Sequence, residues 1–353
     1  STQAKTLFPY TTLFRSPFTS MREEVTWPNV SQQYYYLYAA DPNNKPVISG
    51  AGLSAGQAVL ANSAIATGAT ERPRFVNLIF DGWNLTRVSY CVYTASTGPS
   101  IRAYYCTFRS GDAPVFQNLR GPSGPDRSII YGCRFVDTGQ PIHAENGTYG
   151  LVARCYFKPN ANTLCVHNDR SGWYVYNNSA YVNNNGAYGV FRGQDIIGNV
   201  IHAHTNNPWY AYNCTGTYDY NRLYGTTGAN TGTNGGHNTS GADPLFVSPS
   251  TGNLDIQVGS PCIDASTTLT DAVIDIYGVT APSGAAYDQG AHELVATTTV
   301  TSITVLGPTS IRLNLAASMA SDSSWATAGN FTITPGSGAA VTVTAAAASG
   351  NPG

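Results

Sequence analysis

Apolar and polar positions alternate in short runs along this chain. From about Phe75 to Tyr224 the runs return with one phrase: any residue, a small polar or thiol residue, any residue, an apolar residue. It reads Tyr105-Cys106-Thr107-Phe108, Gly132-Cys133-Arg134-Phe135, Arg154-Cys155-Tyr156-Phe157, Asn177-Asn178-Ser179-Ala180, Gly198-Asn199-Val200-Ile201 and Tyr220-Asn221-Arg222-Leu223. Gly82-Trp83-Asn84-Leu85 fits as a degenerate first copy. The apolar member falls at 85, 108, 135, 157, 180, 201 and 223, so the steps are 23, 27, 22, 23, 21 and 22. Between copies lie short runs of Ile, Val, Tyr, Phe and Trp punctuated by Asn-Gly, Gly-Pro and Asn-Asn, which is strand and turn chemistry.

A period of about 20 to 30 residues marks a solenoid, in which each repeat buries its apolar face only against its neighbours. Leucine-rich repeats share the period, but their Leu-rich consensus is absent and no helical spacing fills the intervals. The pattern predicts an all-β chain built as a parallel β-helix of at least seven coils. Cys106, Cys133 and Cys155 then form one column, continued by Asn178, Asn199 and Asn221, at a spacing of about 4.8 Å.

The flanks divide the chain further. Residues 1–20 read as a non-native or disordered leader, with neither the apolar core nor the cleavage pattern of a signal peptide. Thr6 to Ser16 looks like translated sequencing-adapter sequence, and Met21 as an internal start competes with that reading. Residues 21–74 read as a lead-in and cap: Tyr34 to Tyr38 is strand-like, and Ala51 to Ala66 is rich enough in Ala and Leu for a short helix. Residues 75–295 form the solenoid with its terminal motif, and Gly225 to Gly241 reads as a polar loop that breaks the repeat. In residues 296–353, Thr298 to Val305, Ser310 to Leu315, Phe331 to Thr334 and Val341 to Thr344 alternate Val, Ile and Leu with Thr and Ser. That pattern predicts a partial β-sandwich, too short to close, at the end of a truncated frame.

Composition narrows the function. Charged residues make up 11% of the chain, against about 25% in an average soluble protein, and the formal charge is -2. The balance argues against a basic nucleic-acid surface, and no apolar run is long enough to span a membrane. Asn, Thr, Ser, Gly and Tyr do the solvating, as in many extracellular β-proteins. The seven cysteines include no CxxC pair, so three stacked thiols read as small buried hydrophobes.

A second strand can be aligned by the same period, taking Val115, Ile142, Leu164, Ala187 and Trp209 as equivalent. Residues at odd offsets then point outward. They form the columns Phe116, His143, Cys165, Tyr188, Tyr210; then Asn118, Glu145, His167, Val190, Tyr212; then Arg120, Gly147, Asp169, Arg192, Cys214. Aromatic faces beside His, carboxylate and Arg suit a polysaccharide, with Arg120, Arg170 and Arg192 placed to take uronic carboxylates bidentately. The same columns also fit plain cross-coil stacking with a solvated hydrogen-bond ladder.

Two chemistries suit such a strip. In β-elimination, His143 or His167 acts as base, Arg192 or Arg120 neutralises the carboxylate, and Tyr188 or Tyr210 is the acid. Hydrolysis uses two carboxylates, for which Glu145 and Asp169 are the pair. His202 and His204 are two apart but lack a third ligand, so no metal site is expected.

The most specific stretch follows. Asp243-Pro244-Leu245-Phe246, Gly252-Asn253-Leu254-Asp255-Ile256, Gly259-Ser260-Pro261-Cys262-Ile263-Asp264-Ala265, Asp275-Ile276-Tyr277-Gly278 and Tyr287-Asp288-Gln289-Gly290-Ala291-His292-Glu293 stand in fixed order. This order resembles the C-terminal cap of secreted right-handed parallel β-helix proteins, a group that includes polysaccharide lyase-like and surface proteins. It departs from the usual pattern at Ser266, where a glycine is expected, and at His292, where a tyrosine is expected. The resemblance implies a right-handed helix over about 75–293. The cap aspartates Asp243, Asp264, Asp275 and Asp288 are expected to accept backbone N–H bonds in turns, and their oxygen-rich turns leave a calcium role open.

The lysine-plus-arginine pair of some lyases would need a lysine in the coils, where Lys158 alone is expected, and the aspartate cluster of pectate lyases is missing. Residues 296–353 resemble the Ig-like modules of bacterial surface proteins. The expectation is thus a secreted or surface-exposed chain that engages polysaccharide. It is either a lyase or glycosidase using His143, Glu145, His167, Asp169 and Arg192, or a non-catalytic adhesin or phage tail-spike-like protein, trimeric in the second case. Phe116, Arg120, Arg170, Tyr188, Tyr210 and Tyr212 are the expected sugar contacts.

Overall fold

Strand follows strand, with almost no helix among the described residues, in this computed structural model. It describes residues 20–21, 25–26, 36–38, 45–49, 57–62, 74–82, 88–94, 100–111, 115–119, 127–144, 149–160, 165–168, 172–182, 190–207, 214–226, 231–295, 300–307 and 310–315. By contacts the chain divides into two compact units, Ser1–Val295 and Ala296–Gly353.

Among the described residues of the first unit, successive coils build three parallel sheets of ten, six and nine strands. One coil runs Thr107–Gly111, Phe116–Leu119, Ser128–Tyr131; the next runs Arg134–Thr138, Ile142–Ala144, Gly150–Ala153. Connections between parallel strands of one sheet are right-handed in nearly all proteins. The first unit is a right-handed parallel β-helix.

The interior is built from ladders of like residues. Phe80, Phe108, Phe135 and Phe157 stack at 4.8, 5.1 and 4.9 Å with interplanar angles of 10°, 11° and 3°. Phe116 and Phe191 meet this stack edge-on. Each such pair contributes about 0.5–1.5 kcal/mol beyond area burial.

The thiol and amide column is also real. Asn199 Oδ1 accepts from the Asn178 amide N–H at 2.9 Å and from Asn178 Nδ2 at 3.0 Å, and Asn221 serves Asn199 in the same way. Asn178 in turn accepts the Cys155 amide at 2.9 Å. The column extends one place further than the sequence suggested, because Asn238 accepts from Asn221.

The coils reach beyond the predicted bounds at both ends. Pairing sets Phe80 opposite Phe108, so the first clear phrase is Asn77-Leu78-Ile79-Phe80 rather than Gly82 to Leu85. Upstream, Val47–Ser49 joins the first sheet and Gln57–Asn62 joins the second, as a strand where a helix was expected. Downstream, Thr233–Asn234 and Thr239–Ser240 continue the third and first sheets through the stretch read as a loop. Ladder pairing overrides local propensity in these places.

Each of seven corners from the third sheet to the first is made by one residue with positive φ: Asn77, Tyr105, Gly132, Arg154, Asn177, Gly198 or Tyr220. Gly132 has a further reason to be glycine, since a Cβ there would come within 2.6 Å of the Tyr105 ring.

Residues 243–295 fold back along this line of corners as a strap. Arg154 Nε donates to Ala272 O at 2.8 Å and its Nη1 to Gly290 O at 3.0 Å. Asn177 Nδ2 donates to Asp288 O, Gly198 O accepts from the Gly290 amide at 2.7 Å, and Gln289 Nε2 donates to Tyr220 O. The expected end cap is therefore a lateral cover, packed through Phe246, Leu254, Ile256 and Ile276 against Tyr156 and Val200.

In the second unit, Val300–Gly307 and Ser310–Leu315 pair antiparallel. The other expected strands of the sandwich lie outside the described residues. Among the described residues no helix is long and apolar enough to cross a membrane.

Candidate functional site

The second sheet carries the candidate strip. Ile142, Ala144, Val166 and Phe191 are fully buried, and alternation along the strands leaves His143, His167 and Arg192 half-buried on the outer face. His143 and His167 are register partners whose rings stack at 4.7 Å and 13°. Val166 bridges Phe191, which brings Arg192 level with His167. Arg192 Nη1 lies 3.1 Å from His167 Nε2. A guanidinium only donates, so His167 Nε2 accepts with its lone pair and the ring proton sits on Nδ1.

This register corrects the sequence-based one. Phe116, not Val115, pairs with Ile142, and Val166, not Leu164, pairs with it on the other side. Phe116 is therefore a core residue with 0% exposure and cannot meet a sugar. Cys165, Val190 and Cys214, expected in the outward columns, are buried as well. The physical reason is turn length. From the first-sheet core residue to its second-sheet counterpart the chain takes 8 residues (108 to 116), then 7 (135 to 142), 9 (157 to 166) and 11 (180 to 191), so one period cannot align both sheets.

Three predicted residues are thus brought together: His143, His167 and Arg192. Glu145, Asp169, Arg120, Arg170, Tyr188, Tyr210 and Tyr212 lie outside the described residues, and so does the His204 side chain. His202 sits on the outer face of the first sheet, edge-on to Tyr181 at 5.1 Å and to Tyr224 at 4.7 Å. Among the described residues no three metal-ligating side chains converge.

The strap aspartates behave as turn acceptors. Asp275 takes the amides of Tyr277, Val279 and Glu293, and Asp288 takes those of Asp264 and Leu294. Asp243 and Asp264 accept the Leu245 and Ala286 amides.

Lysine placement also differs from expectation. Lys158 is ion-paired to Asp137. Lys45 precedes the strand Val47–Ser49 and so belongs to a coil, donating to Tyr105 O at 2.6 Å, with burial pulling its amine below the ordinary value. Among the described residues, six cysteines are free and buried. Burial pushes Cys106, Cys133 and Cys165 up, and Cys214 and Cys262 to about 11, so none of these five is a thiolate nucleophile at neutral pH.

No protein-family model matches the chain, and no curated protein matches it. Among solved structures, the crystal structure of pectate lyase Pel9A is similar to it at 11% identity and a TM-score of 0.25, over 77% of this chain and 86% of that chain. The fold assignment rests on the strand pairing above.

Proposed function

We propose that this chain is an extracellular β-helix protein that engages an acidic polysaccharide along the outer face of its second sheet. The observation that carries the reading is the His143–His167 stack extended by Arg192 on consecutive coils. Coils about 4.8 Å apart present their side chains in a line, which matches an extended polymer better than a compact ligand. Arg192 supplies a donor fork for a uronic carboxylate. His143 and His167 are the candidate proton-abstracting groups of this strip. Glu145, Asp169, Arg120, Arg170, Tyr188, Tyr210 and Tyr212 follow or flank these strands in sequence and belong to the same proposal. The low-charge, amide-rich composition supports the extracellular setting.

A second reading, a non-catalytic adhesin or tail-spike-like surface, is favoured by the pairing of Lys158 with Asp137, which removes that amine from base chemistry. An absorbance assay for unsaturated uronate products, on a panel of acidic polysaccharides with and without calcium, separates the two when run beside a reducing-end assay. Product that disappears in His143→Ala and Arg192→Ala supports a lyase. Reducing ends without unsaturation move the case to Glu145 and Asp169. Silence in both assays, with retained glycan binding, supports the binding surface and ends the enzyme reading.

A further inference from the structure

The strap carries a second cluster of polar and aromatic side chains, separate from the His143–His167 strip. Arg134 and Tyr156 are register partners on the first sheet. The Arg134 guanidinium lies 4.7 Å from the Tyr156 ring centroid and 4.9 Å from that of Tyr277. Asp255 accepts from the Tyr156 hydroxyl at 2.6 Å and from the Tyr277 hydroxyl at 2.7 and 2.8 Å. The His292 ring meets Tyr277 at 5.6 Å and 82°. Tyr277 is held by its hydroxyl and by its ring, yet it is 53% exposed.

A tyrosine that only pinned the strap would bury its ring along with its hydroxyl, as Tyr156 does at 1% exposure. An immobilised, exposed ring loses little conformational entropy when a ligand lands on it. Its rim is complementary to hydroxyl groups. Asp255 retains acceptor capacity and Arg134 carries donors. His292 Nδ1 accepts the Ile256 amide at 3.2 Å, which places its proton on Nε2 as a further donor. The charges of Arg134 and Asp255 cancel, so the rim has no electrostatic preference for an acidic sugar. The C–H face of a pyranose carries weakly positive hydrogens, which complement the negative face of an aromatic ring.

We infer that Tyr277, rimmed by Arg134, Asp255 and His292, is a subsite for a neutral pyranose residue. It uses none of the residues of the histidine strip and stands whether or not that strip binds a uronate.

Affinity electrophoresis of the full chain through gels containing soluble xylan, galactomannan or hydroxyethylcellulose tests it, with polygalacturonate as the acidic comparison. At least one neutral glycan retards the wild type. Tyr277→Ala weakens that retardation about tenfold, while Tyr277→Phe, which keeps the ring over Arg134, stays within about threefold. Because alanine also removes a strap contact, wild-type protein is nitrated with tetranitromethane with and without the retarding glycan, and the glycan lowers nitration at Tyr277 several-fold. No retardation by any neutral glycan, equal retardation of wild type and Tyr277→Ala, or unchanged nitration at Tyr277 overturns the subsite. Retardation by polygalacturonate alone, lost in Arg192→Ala, also overturns it while leaving the histidine strip intact.

Discussion

Arg154 Nη2 and Glu293 Oε2 lie 3.5 Å apart with both side chains fully buried, joining a corner of the helix to the end of the strap. Burial pulls the Arg154 guanidinium below its ordinary value despite Glu293, and burial raises the Glu293 carboxyl despite Arg154. Desolvation therefore outweighs the attraction on both sides, as is common for buried pairs. The pair adds little net stability, but losing one member strands the other. Arg154→Met is expected to cost about 3–5 kcal/mol in urea unfolding, and Arg154→Met with Glu293→Leu to recover part of it. A single substitution within about 0.5 kcal/mol of wild type would mean that the strap is held elsewhere.

The same burial sets a pH dependence. Glu293 is raised in the folded state, so in the window above its unfolded value of about 4.3 the folded chain binds more protons than the unfolded chain. Its stabilising contribution is complete below that value and is lost as pH rises through the folded value. Wild type should therefore lose margin over Glu293→Gln as urea unfolding is repeated upward from pH 4. A margin that grows with pH contradicts the assignment.

The amide ladder makes a sharper prediction. Asn199 Nδ2 donates to Val175 O at 2.9 Å and to Asn221, while its Oδ1 serves two donors of Asn178, all in the interior. Asn199→Leu orphans several buried groups at about 1–3 kcal/mol each. It is expected to cost more than Cys133→Ala, which removes only weak sulfur contacts. The reverse order in thermal melts would mean that the ladder is not what specifies the stack.

Phe116 separates the two registers. Its ring packs edge-on to Phe108 and Phe135, so Phe116→Ala should lower stability by about 3–5 kcal/mol while glycan retardation of the folded fraction is unchanged. Lost retardation without lost stability would restore the outward assignment.

How far the fold was legible depended on which turn was read. From the third-sheet core residue to the first-sheet one the chain takes five residues in seven coils: 75 to 80, 103 to 108, 130 to 135, 152 to 157, 175 to 180, 196 to 201 and 218 to 223. A corner closed by one residue of positive φ allows no insertion, so the Cys-to-Asn column and the phenyl stack showed in the sequence. The turns into the second sheet vary from 7 to 11 residues, so the histidine strip was found by residue type and misplaced by register. His143 with His167 needed the pairing of Ile142 with Val166. The role of Arg154 is not legible in the sequence, because nothing local distinguishes an arginine buried by a segment 139 positions away. Tyr277 stands in the terminal motif, but its surroundings are not legible there, because its partners Arg134 and Asp255 come from separate elements.

The most direct test of the proposed glycan-binding face is affinity electrophoresis of wild type and Arg192→Ala through gels with and without polygalacturonate at low ionic strength. Wild type should be retarded, and Arg192→Ala should lose most of that retardation at unchanged fold, because the guanidinium is both the carboxylate fork and the donor that fixes His167. Equal mobility of the two proteins at every polygalacturonate concentration would contradict the assignment of the second sheet as the glycan-binding face.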